Sequence, residues 1–531
     1  MAAHRGNRMR SRQGKAFVVG ILALGSFLAL TSCWPTVDLT DTGNVGNSYG
    51  TGIGPISGFG SVIVNGVRYD DAGIDSSSFF DGHGRTSAEL EAGMMVKITA
   101  TGVNDVSGTG TATKIEVLRH VDGPLDDNGV TLATNRMTVM GQEVVVDTTT
   151  VFENVALGTL VDLAAIDNLA MEGNRPELEV HGIADDAGAI HATYIRMWFD
   201  NVVADRDVQL KGVVANDNAF GKTFTLGTST VSYVVRPAGL GDGVFVDVKG
   251  TFRTTDNTVL ATTVTVEDPT TGREAGDLVK AEGFVNRIVT AGAQFELVGA
   301  DGLQRINWST DTVTFKDGTA ADLLVGARVV VEGKRNLDKT VAAKKITFRK
   351  PGDLRMDTTV TVPSSPANSL ELFGKTVIVN PLTQYEDSRD GLRTFGLANI
   401  LTGDTLRVSA FQDAGTGTDR IVATRVERID AFPTNDLHVL QGMVEVTTGG
   451  GSFTILGINV QTLPGSTEFL QADGTPFPGA TPNDRQANFF AAVIEGWTVV
   501  KARGTAGSST TLMDANEVQI QPATGNGLPL I

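Results

Sequence analysis

Histidines and acidic residues are the side chains of this sequence that could perform acid–base chemistry or bind a metal ion. The histidines are His4, His83, His120, His181, His191 and His438. None shows the short paired spacing of a zinc-binding helix or finger. His181 and His191 could approach each other across a hairpin, but two half-exposed strand histidines are the simpler interpretation. The sequence therefore predicts no metal site, and no cofactor is implied.

Acidic residues gather in predicted turns, where carboxylate oxygens could hold calcium. These clusters are Asp70-Asp71, Asp126-Asp127-Asn128, Asp185-Asp186, and Glu386-Asp387 with Asp390. None has the spacing of a calcium loop, so solvated turn residues are the preferred interpretation. A carboxylate pair for glycoside hydrolysis needs spatial rather than sequential proximity and stays an open alternative.

Motifs of catalysis or nucleotide binding do not add a site. The glycine run from Gly52 to Gly60 is followed by a predicted strand rather than a helix, so turn glycines account for it better than a nucleotide fingerprint. The sequence contains no G-x-S-x-G elbow, P-loop or H-E-x-x-H motif. We therefore predict no catalytic residue and expect a protein that is not an enzyme.

Cys33 is the sole cysteine of the chain, which excludes an internal disulfide and a thiolate metal site. Five basic residues precede an apolar run from Ala16 to Leu30, and Leu30-Thr31-Ser32-Cys33 closes that run. A basic region, a short apolar stretch and small residues are typical of a secretory signal rather than a membrane-spanning helix. Residues 1–32 are therefore predicted to be a signal peptide.

The tetrapeptide ending at Cys33 resembles the lipobox of bacterial lipoproteins. The resemblance implies cleavage before Cys33 and attachment of a diacylglyceryl thioether to its sulfur, which would anchor the protein in a membrane. Ordinary secretion with Cys33 as a bystander is the alternative. Trp34 follows the cysteine, and by the same resemblance the absence of aspartate there favours the outer membrane.

The charge of the chain argues against a nucleic-acid partner. The net charge is −18, and removal of residues 1–32, with five basic and no acidic residues, would make it −23. A polyanion of this kind is repelled by nucleic acid and by anionic lipid headgroups. The hydrophobic content of 41% is sufficient for packed cores, and 62 glycines predict many tight turns.

One β pattern recurs about six times, at a period of roughly 60–85 residues. A glycine-containing strand is followed by a hairpin, in which Asn65-Gly66 suits a type I′ turn. A threonine-aromatic strand follows the hairpin. Next comes a strand of alternating apolar and polar residues that begins after a glycine. The last strand contains an alanine followed by an isoleucine or valine. Examples of these last three slots are Thr150-Val151-Phe152, Gly326–Val331 and Ala192-Thr193-Tyr194-Ile195.

Alternation with period two predicts strands with one apolar face, and closure of about five short strands into a barrel removes exposed edges. The predicted fold class is all-β, with about six tandem small OB-like barrels or compact sandwiches after the signal peptide. Each unit is long enough to bury its own core, so separate beads on a string are expected. Residues 162–171 and 397–401 are candidates for short helical segments.

The expected domain organisation follows the repeat. It comprises a signal peptide (1–32), a flexible spacer (33–53), six β-modules (54–121, 122–205, 206–274, 275–355, 356–434 and 435–522) and a tail (523–531).

The recurring pattern resembles a bacterial domain family of unknown function, which occurs as tandem small β-modules in exported proteins and lipoproteins. The resemblance covers about Gly54 to Pro522. The third unit lacks a clear threonine-aromatic strand, and Gln471–Asn488 has the character of an insertion in the sixth. The family offers no catalytic residues that could be placed on this chain.

These observations predict a non-catalytic cell-envelope protein, lipid-anchored through Cys33, whose modules serve as spacer, scaffold or binding arm. A polysaccharide or a protein of the envelope is the candidate ligand, and the ligand-binding residues are unknown. Scattered aromatics could form a stacking platform, but packing roles are favoured for Trp198, Trp308, Trp497 and Tyr385. The alternative is an envelope hydrolase with a carboxylate-based site in one module.

Overall fold

The structure is a computed structural model in which the chain forms two compact units, residues 1–36 and 37–531. It describes residues 50–104, 107–154, 162–202, 204–269, 273–350, 352–363, 368–413, 420–432, 438–506 and 511–522, all in the second unit. Cys33, the predicted signal peptide and the predicted tail lie outside the described residues.

The described chain is mostly β-sheet, and its strands fall into six consecutive groups that we call modules 1 to 6. Module 1 contains β1 (Gly50–Gly58), β2 (Val62–Val64), β3 (Val67–Asp70), β4 (Phe79–Phe80), β5 (Met95–Asn104) and β6 (Thr109–Val117). Module 2 contains β7 (Val121–Thr131), β8 (Arg136–Val139), β9 (Gln142–Val145), β10 (Val151–Asn154), β11 (Glu177–Ala184) and β12 (Ile190–Phe199). Module 3 contains β13 (Arg206–Val213), β14 (Ala215–Asn218), β15 (Thr223–Leu226), β16 (Ser229–Ser232), β17 (Phe245–Arg253) and β18 (Thr258–Val266).

The second half of the chain repeats this arrangement. Module 4 contains β19 (Leu278–Thr290), β20 (Gln294–Gly299), β21 (Gly302–Asn307), β22 (Thr314–Lys316), β23 (Arg328–Arg335) and β24 (Val341–Phe348). Module 5 contains β25 (Leu354–Thr359), β26 (Val362–Pro363), β27 (Ser369–Leu372), β28 (Lys375–Ile378), β29 (Gln384–Asp387), β30 (Thr405–Asp413) and β31 (Arg420–Ile429). Module 6 contains β32 (His438–Met443), β33 (Val446–Thr448), β34 (Ser452–Ile455), β35 (Ile458–Thr462), β36 (Glu468–Leu470), β37 (Val499–Ala506) and β38 (Leu512–Ile520).

The strands of a module pair in one recurring order, seen directly in module 1. There β1 pairs with β2, β2 with β3, β3 in parallel with β6, β6 with β5, and β5 again with β1. The pairing closes on itself, so the module is barrel-like and its first strand is not left as an edge within the ring. In modules 3, 5 and 6 the first strand is followed by the short strands β14, β26 and β33, which pair with the next strand.

Tight turns with left-handed backbone connect the second and third strands of these rings. Asn65 and Gly66 both have positive φ, at 50° and 76°, as a type I′ turn requires. The same combination of a side chain and then glycine at positive φ recurs at Met140-Gly141, Phe373-Gly374 and Leu456-Gly457. The hairpin predicted from Asn65-Gly66 is therefore present, and its geometry is a repeating element.

Modules 2, 4, 5 and 6 carry the predicted threonine-aromatic strand, and module 1 has a similar strand in which serines precede Phe79. We call all five the aromatic strand, and in each module it pairs in parallel with the last strand. The aromatic residue always lies opposite an isoleucine or valine. The pairs are Phe79 with Ile115, Phe152 with Ile195, Phe315 with Ile346, Tyr385 with Val426, and Phe469 with Val518. In module 3 no described strand takes the place of the aromatic strand, as the weak pattern of the third unit indicated.

A β-bulge in the last strand explains why alanine recurs there. In each module an alanine faces a glycine or alanine, and one extra residue follows before the ladder resumes, as at Gly250–Ala261 and Lys249–Thr263. A Cβ on Gly250 would lie 2.3 Å from the Leu260 carbonyl oxygen, so the partner must be small. In module 3 the extra residue is Thr262, whose hydroxyl donates to the Lys249 carbonyl at 3.0 Å.

The modules do not form separate beads, because the first strands of different modules pair with each other. β1 pairs with β19, β7 with β13, and β25 with β32, which joins modules 1 and 4, 2 and 3, and 5 and 6 into continuous sheets of 12, 12 and 14 strands. The expectation of independent beads is corrected on this point. Inside its own ring β1 pairs with β5 and, through Ile56 and Gly58, with β2. Its remaining backbone groups, at Gly50–Ile53, are paired by β19 of module 4.

The hydrophobic cores follow the shared sheets. One cluster of buried side chains spans modules 5 and 6, and another spans modules 2 and 3. The cores of modules 1 and 4 also recruit side chains from their neighbours, including Val151 and Tyr194 of module 2 and Phe245 of module 3. Apolar burial therefore holds the modules to one another as well as closing each ring.

Helices are short additions to the sheets. α1 (Leu163–Met171) begins after Asp162, whose side chain accepts from the Ala165 N–H, and it overlaps the segment predicted to be helical. α2 (Pro482–Ala492) lies partly in the predicted insertion of the sixth unit. The 3-10 turns are Ser87–Glu89, Leu132–Thr134, Ala320–Asp322 and Leu397–Asn399. Among the described residues, no helix has the length and apolarity needed to cross a membrane.

Candidate functional site

The densest group of buried charges lies between modules 1 and 2, and we call it the Glu179 cluster. It consists of Asp81, Arg85, Arg119, Glu179 and His181. Arg85 from the loop after β4 donates to Asp81 at 2.9 Å and to Glu179 on β11 at 2.6 Å. Arg119 bonds to the same two carboxylates, and His181 contacts Glu179 at 2.7 Å. The cluster therefore joins two modules through charge-assisted hydrogen bonds.

The electrostatics of this cluster stabilise ionised carboxylates. Burial by itself would raise the pKa of Glu179, but the hydrogen bond with His181 and the charges of Arg119 and Arg85 hold it well below its usual range. Burial lowers the pKa of His181, so its imidazole is neutral near neutral pH. A carboxylate with this pKa remains charged and fully paired, which suits a fixed structural role better than proton transfer.

An aromatic and cationic surface lies beside the Glu179 cluster. Trp198 is half-buried and donates through Nε1 to Glu179 at 3.0 Å. The guanidinium carbons of Arg85 and Arg196 lie 5.7 and 5.1 Å from its ring centroid. His83, with a 39% exposed side chain, packs near the indole and bonds to Asp122 at 2.5 Å. The accessible groups here are the partly exposed ring of Trp198 and the His83 side chain, and an aromatic ring at a surface can stack against a sugar.

Glu91 is an exposed acid whose pKa is strongly raised. It lies at a junction where modules 1, 2 and 5 meet. The loop that carries it is held by Arg393 of module 5, which donates to the Ser87 and Ala88 carbonyls at 2.8 Å each. Glu91 itself stays accessible to solvent. Enclosure by the three modules, with the charges of Glu153 and Glu386, raises its pKa to about 7.

A second ion-pair cluster lies on one face of module 5. Arg355 donates to Asp357 at 2.6 Å, and Arg407 bridges Asp357 and Glu427 at 3.4 and 3.2 Å. Arg425 contacts Glu427 at 3.1 Å and approaches the Thr150 carbonyl of module 2 at 3.5 Å. Burial alone would raise the pKa of Asp357, but Arg355 and Arg407 hold it below its usual range. This cluster also lies at a contact between modules.

His181 and His191 contact different partners, so the approach across the hairpin, which was not the preferred interpretation, is not what the structure shows. His181 is completely buried, and the Met95 N–H donates to its Nδ1 at 3.2 Å. His191 is half-buried and contacts Asp185 at 3.1 Å. The half-exposed environment expected for both residues is therefore wrong for His181, because the edge of module 1 packs over it. His120 is also buried, and burial with the charge of Lys211 lowers its pKa to about 3.

The acidic turns act mainly as backbone caps and ion-pair partners. Asp70 accepts from the Ala72 N–H at 3.1 Å, and Asp126 accepts from the Gly141 N–H at 2.7 Å. Asp387 accepts two hydrogen bonds from Arg428. Within the described ranges, no three histidine or acidic side chains converge in a way that could hold a metal ion.

Trp198, Trp308, Trp497 and Tyr385 lie in four different modules, and their rings do not pack against one another. Trp308 packs edge-on against Phe315 at 5.7 Å, and Tyr385 packs against Phe395 at 6.4 Å. Trp497 is 60% exposed. These distances describe packing contacts, and only the surroundings of Trp198 combine an aromatic ring with several charged donors.

Comparison with known proteins identifies the repeated unit for part of the chain. Residues 122–196, 282–347 and 359–427 match the family described as "Domain of unknown function (DUF5666)". The three segments fall in modules 2, 4 and 5, so the chain contains tandem all-β domains of unknown function. No curated protein matches the chain.

Among solved structures, the chain is similar to a multidomain protein with nucleic acid binding domains from Streptococcus pneumoniae. The two chains are 12% identical, the match covers 46% of this chain and 73% of the other, and the TM-score is 0.10.

Proposed function

We propose that this chain is a non-catalytic, lipid-anchored protein of the bacterial cell envelope, whose modules form a rigid scaffold and binding arm. The basic and apolar leader and the lipobox-like sequence ending at Cys33 support cleavage after residue 32 and a lipid anchor, with the outer membrane as the favoured location. A polysaccharide or a protein of the envelope is the proposed ligand.

Each of the six modules is proposed to be an OB-like barrel. The support is the recurring strand order, in which the second strand of the hairpin runs parallel to the last strand of the module. In modules 1, 2 and 4 the first strand of the hairpin also pairs with the first strand of the module and closes the ring. Barrels of this class present an open face to extended polymers such as oligosaccharides. The net charge argues against nucleic acid as the polymer.

One observation carries the scaffold proposal: the junctions between modules are continuous sheets and buried ion pairs. Glu179, for example, is completely buried and links modules 1 and 2 through two arginines. Such junctions resist bending, so the modules would keep fixed distances along an arm. Several similar units on a rigid arm also favour multivalent binding.

The anchor and the arm can be tested together. Cells expressing the wild-type chain and a Cys33→Ser variant are labelled with radioactive palmitate and fractionated. The proposal expects label and membrane association for the wild-type chain, and neither for Cys33→Ser. The purified chain is then tested on an array of envelope polysaccharides, where saturable binding supports the arm and its absence at all glycans contradicts the polysaccharide ligand.

A hydrolase is the second candidate function, and the Glu91 junction is the observation that favours it. A solvent-accessible carboxyl with pKa about 7 near Glu153 could act as a general acid at neutral pH. Glu153 accepts hydrogen bonds from Arg196 at 2.7 and 2.9 Å, which fix the orientation of its carboxylate.

The hydrolase alternative makes a distinct prediction. Turnover of an envelope polysaccharide by the purified chain should disappear in Glu91→Gln and persist in Glu172→Gln, an exposed glutamate after α1. Turnover that is lost in this way would overturn the non-catalytic proposal. No turnover by the wild-type chain would remove the alternative.

A further inference from the structure

The last strand of module 3 has an open edge where five other modules carry a strand. β18 pairs with β17 along its length, but β16 pairs only with Thr258–Leu260. In the described part of the chain, no strand pairs with the rest of that side. We call the segment Ala261–Val266 the β18 edge.

The connection between β16 and β17 explains the missing strand. It consists of residues 233–244, whereas the equivalent connection in module 4 spans residues 308–327. This short segment is also tied to the other side of the module. Arg236 donates to Asp217 at 2.8 Å, and the Asp217 N–H donates to Asp242 at 2.8 Å. The segment therefore does not lie along the β18 edge.

Backbone donors of the β18 edge point away from the sheet. The Glu267 N–H donates to the Phe245 carbonyl on β17 at 2.9 Å. Because donors alternate in an antiparallel pair, the Val264 and Val266 N–H groups point to the open side. In module 1 the equivalent Ile115 N–H donates to the Ser78 carbonyl beside β4 at 2.9 Å. Module 3 thus presents unpaired backbone N–H groups at the positions that bind the carbonyls of the aromatic strand in other modules.

Side-chain burial shows the same difference. The residues equivalent to Val264 are all 0% exposed, namely Ile115, Ile195, Ile346, Val426 and Val518. Val264 is only partly buried, while Thr262, Thr263 and Thr265 are exposed. The β18 edge is therefore accessible, and its central apolar side chain has no aromatic partner opposite it.

We propose that the β18 edge binds an extended peptide of another protein as an added parallel strand. Modules 2, 5 and 6 define the peptide: a hydroxyl residue followed, two positions later, by an aromatic residue. In modules 2, 5 and 6 the threonine of this strand donates to the alanine carbonyl at 2.8, 2.8 and 2.6 Å. In module 3 the peptide's hydroxyl would donate to Ala261, and its aromatic ring would cover Val264.

This inference rests on the proposed function, in the case where the ligand of the binding arm is a protein, and it names the kind of segment that binds. Polysaccharide binding and palmitate labelling are measured without any peptide, so failure of the peptide experiment is distinguishable from failure of the proposed function. The inference also differs from self-association, because it requires no second copy of the chain.

The test uses the full-length chain and a fluorescent peptide with the sequence of residues 464–471, which includes β36, the aromatic strand of module 6. We expect saturable binding with one peptide per chain. Hydrogen exchange should slow at the Val264 and Val266 amides on binding, and change little at the Thr265 amide, which faces β17. A Phe469→Ala peptide should bind about tenfold or more weakly, because it buries far less apolar area.

Protein variants provide the matched control. Val264→Pro removes the outward N–H and should weaken peptide binding at least about tenfold, whereas Val264→Thr keeps that N–H and should bind. If Val264→Pro does not fold, the Phe469→Ala peptide and the exchange data decide the outcome. No saturable binding, protection outside residues 261–267, or concentration-dependent dimers that exclude the peptide would overturn the proposal.

Discussion

Buried arginine–carboxylate pairs are the residues that distinguish this structure from a set of simple barrels. Glu179 accepts from Arg85 and Arg119 across the contact between modules 1 and 2. Desolvation makes such pairs weak sources of net stability, but removal of one partner leaves the other charge buried and unpaired. These positions should therefore tolerate change poorly.

Glu179→Gln tests that expectation. The variant leaves Arg85 and Arg119 without their shared anion, so we expect a loss of about 3–5 kcal/mol in the free energy of unfolding. Urea titration followed by circular dichroism measures the change. Glu116→Gln is the control, because its partner Lys114 is 39% exposed and the pair should contribute less than about 1 kcal/mol. Equal losses in both variants would contradict the proposed role of the buried cluster.

Glu91 should give a stability difference with the opposite pH dependence to that of a paired acid. Its folded pKa of about 7 lies above the ordinary 4.5, so the folded state holds more protons and loses stability as pH rises from about 4.5 to 7. Glu91→Gln stays neutral. We expect equal melting temperatures for wild type and variant at pH 4 and a higher one for the variant at pH 8, measured by calorimetry. A constant difference at both pH values would refute the raised pKa.

At the level of elements, the repeat is built around one β-bulge. The alanine and isoleucine or valine of the last strand were visible in the sequence, and the structure shows that they flank the extra residue. Gly333 in module 4 faces Ala343, and a Cβ on it would lie 2.2 Å from the Ala342 carbonyl oxygen. The motif therefore encodes the backbone geometry of the bulge.

Gly333→Val should disrupt this bulge. The added side chain would overlap the Ala342 carbonyl, and we expect a loss of at least about 1–3 kcal/mol with faster hydrogen exchange in β23 and β24. Gly73→Val is a matched control, because no atom lies within 4 Å of its Cβ position and the effect should stay within about 0.5 kcal/mol. A stable Gly333→Val protein with unchanged exchange would show that the bulge tolerates a large side chain.

Strands and turns of the modules were predictable because they depend on local pattern. Alternation identified strands such as β23, and Asn65-Gly66 identified a hairpin. The arginine partners of Glu179 were not predictable, because Arg85 and Arg119 come from another part of the chain. From a single sequence, acidic residues are expected to be exposed to solvent in turns. Only the packing of the modules shows which of them are buried.

At the level of the whole molecule, pairing between modules was hidden from the sequence for the same reason. The alternating pattern of a strand shows which of its faces is apolar. It does not show which strand of another module will pair with its free edge. Modules 5 and 6 pair with each other and share one core, whereas module 1 pairs with module 4, which follows two intervening modules. The modules therefore differ in how far they depend on distant sequence.

Isolated fragments should reflect this difference. A fragment of residues 352–522 contains a complete sheet and core, so we expect a soluble monomer with cooperative thermal unfolding. A fragment of residues 50–118 retains the free edge of β1 and loses apolar partners such as Val151 and Tyr194, so it should aggregate or stay unfolded. Light scattering and circular dichroism distinguish the two. A stable, monomeric 50–118 fragment would support independent beads instead.

The pairing of β1 with β19 also sets an order of assembly during synthesis. Gly50 pairs with Leu278, so more than two hundred residues must leave the ribosome before the first strand meets its partner. Modules 2 and 3 complete their shared sheet in that interval, while β1 presents unpaired backbone groups. The inter-module edge of the first strand is therefore satisfied last, once module 4 is present.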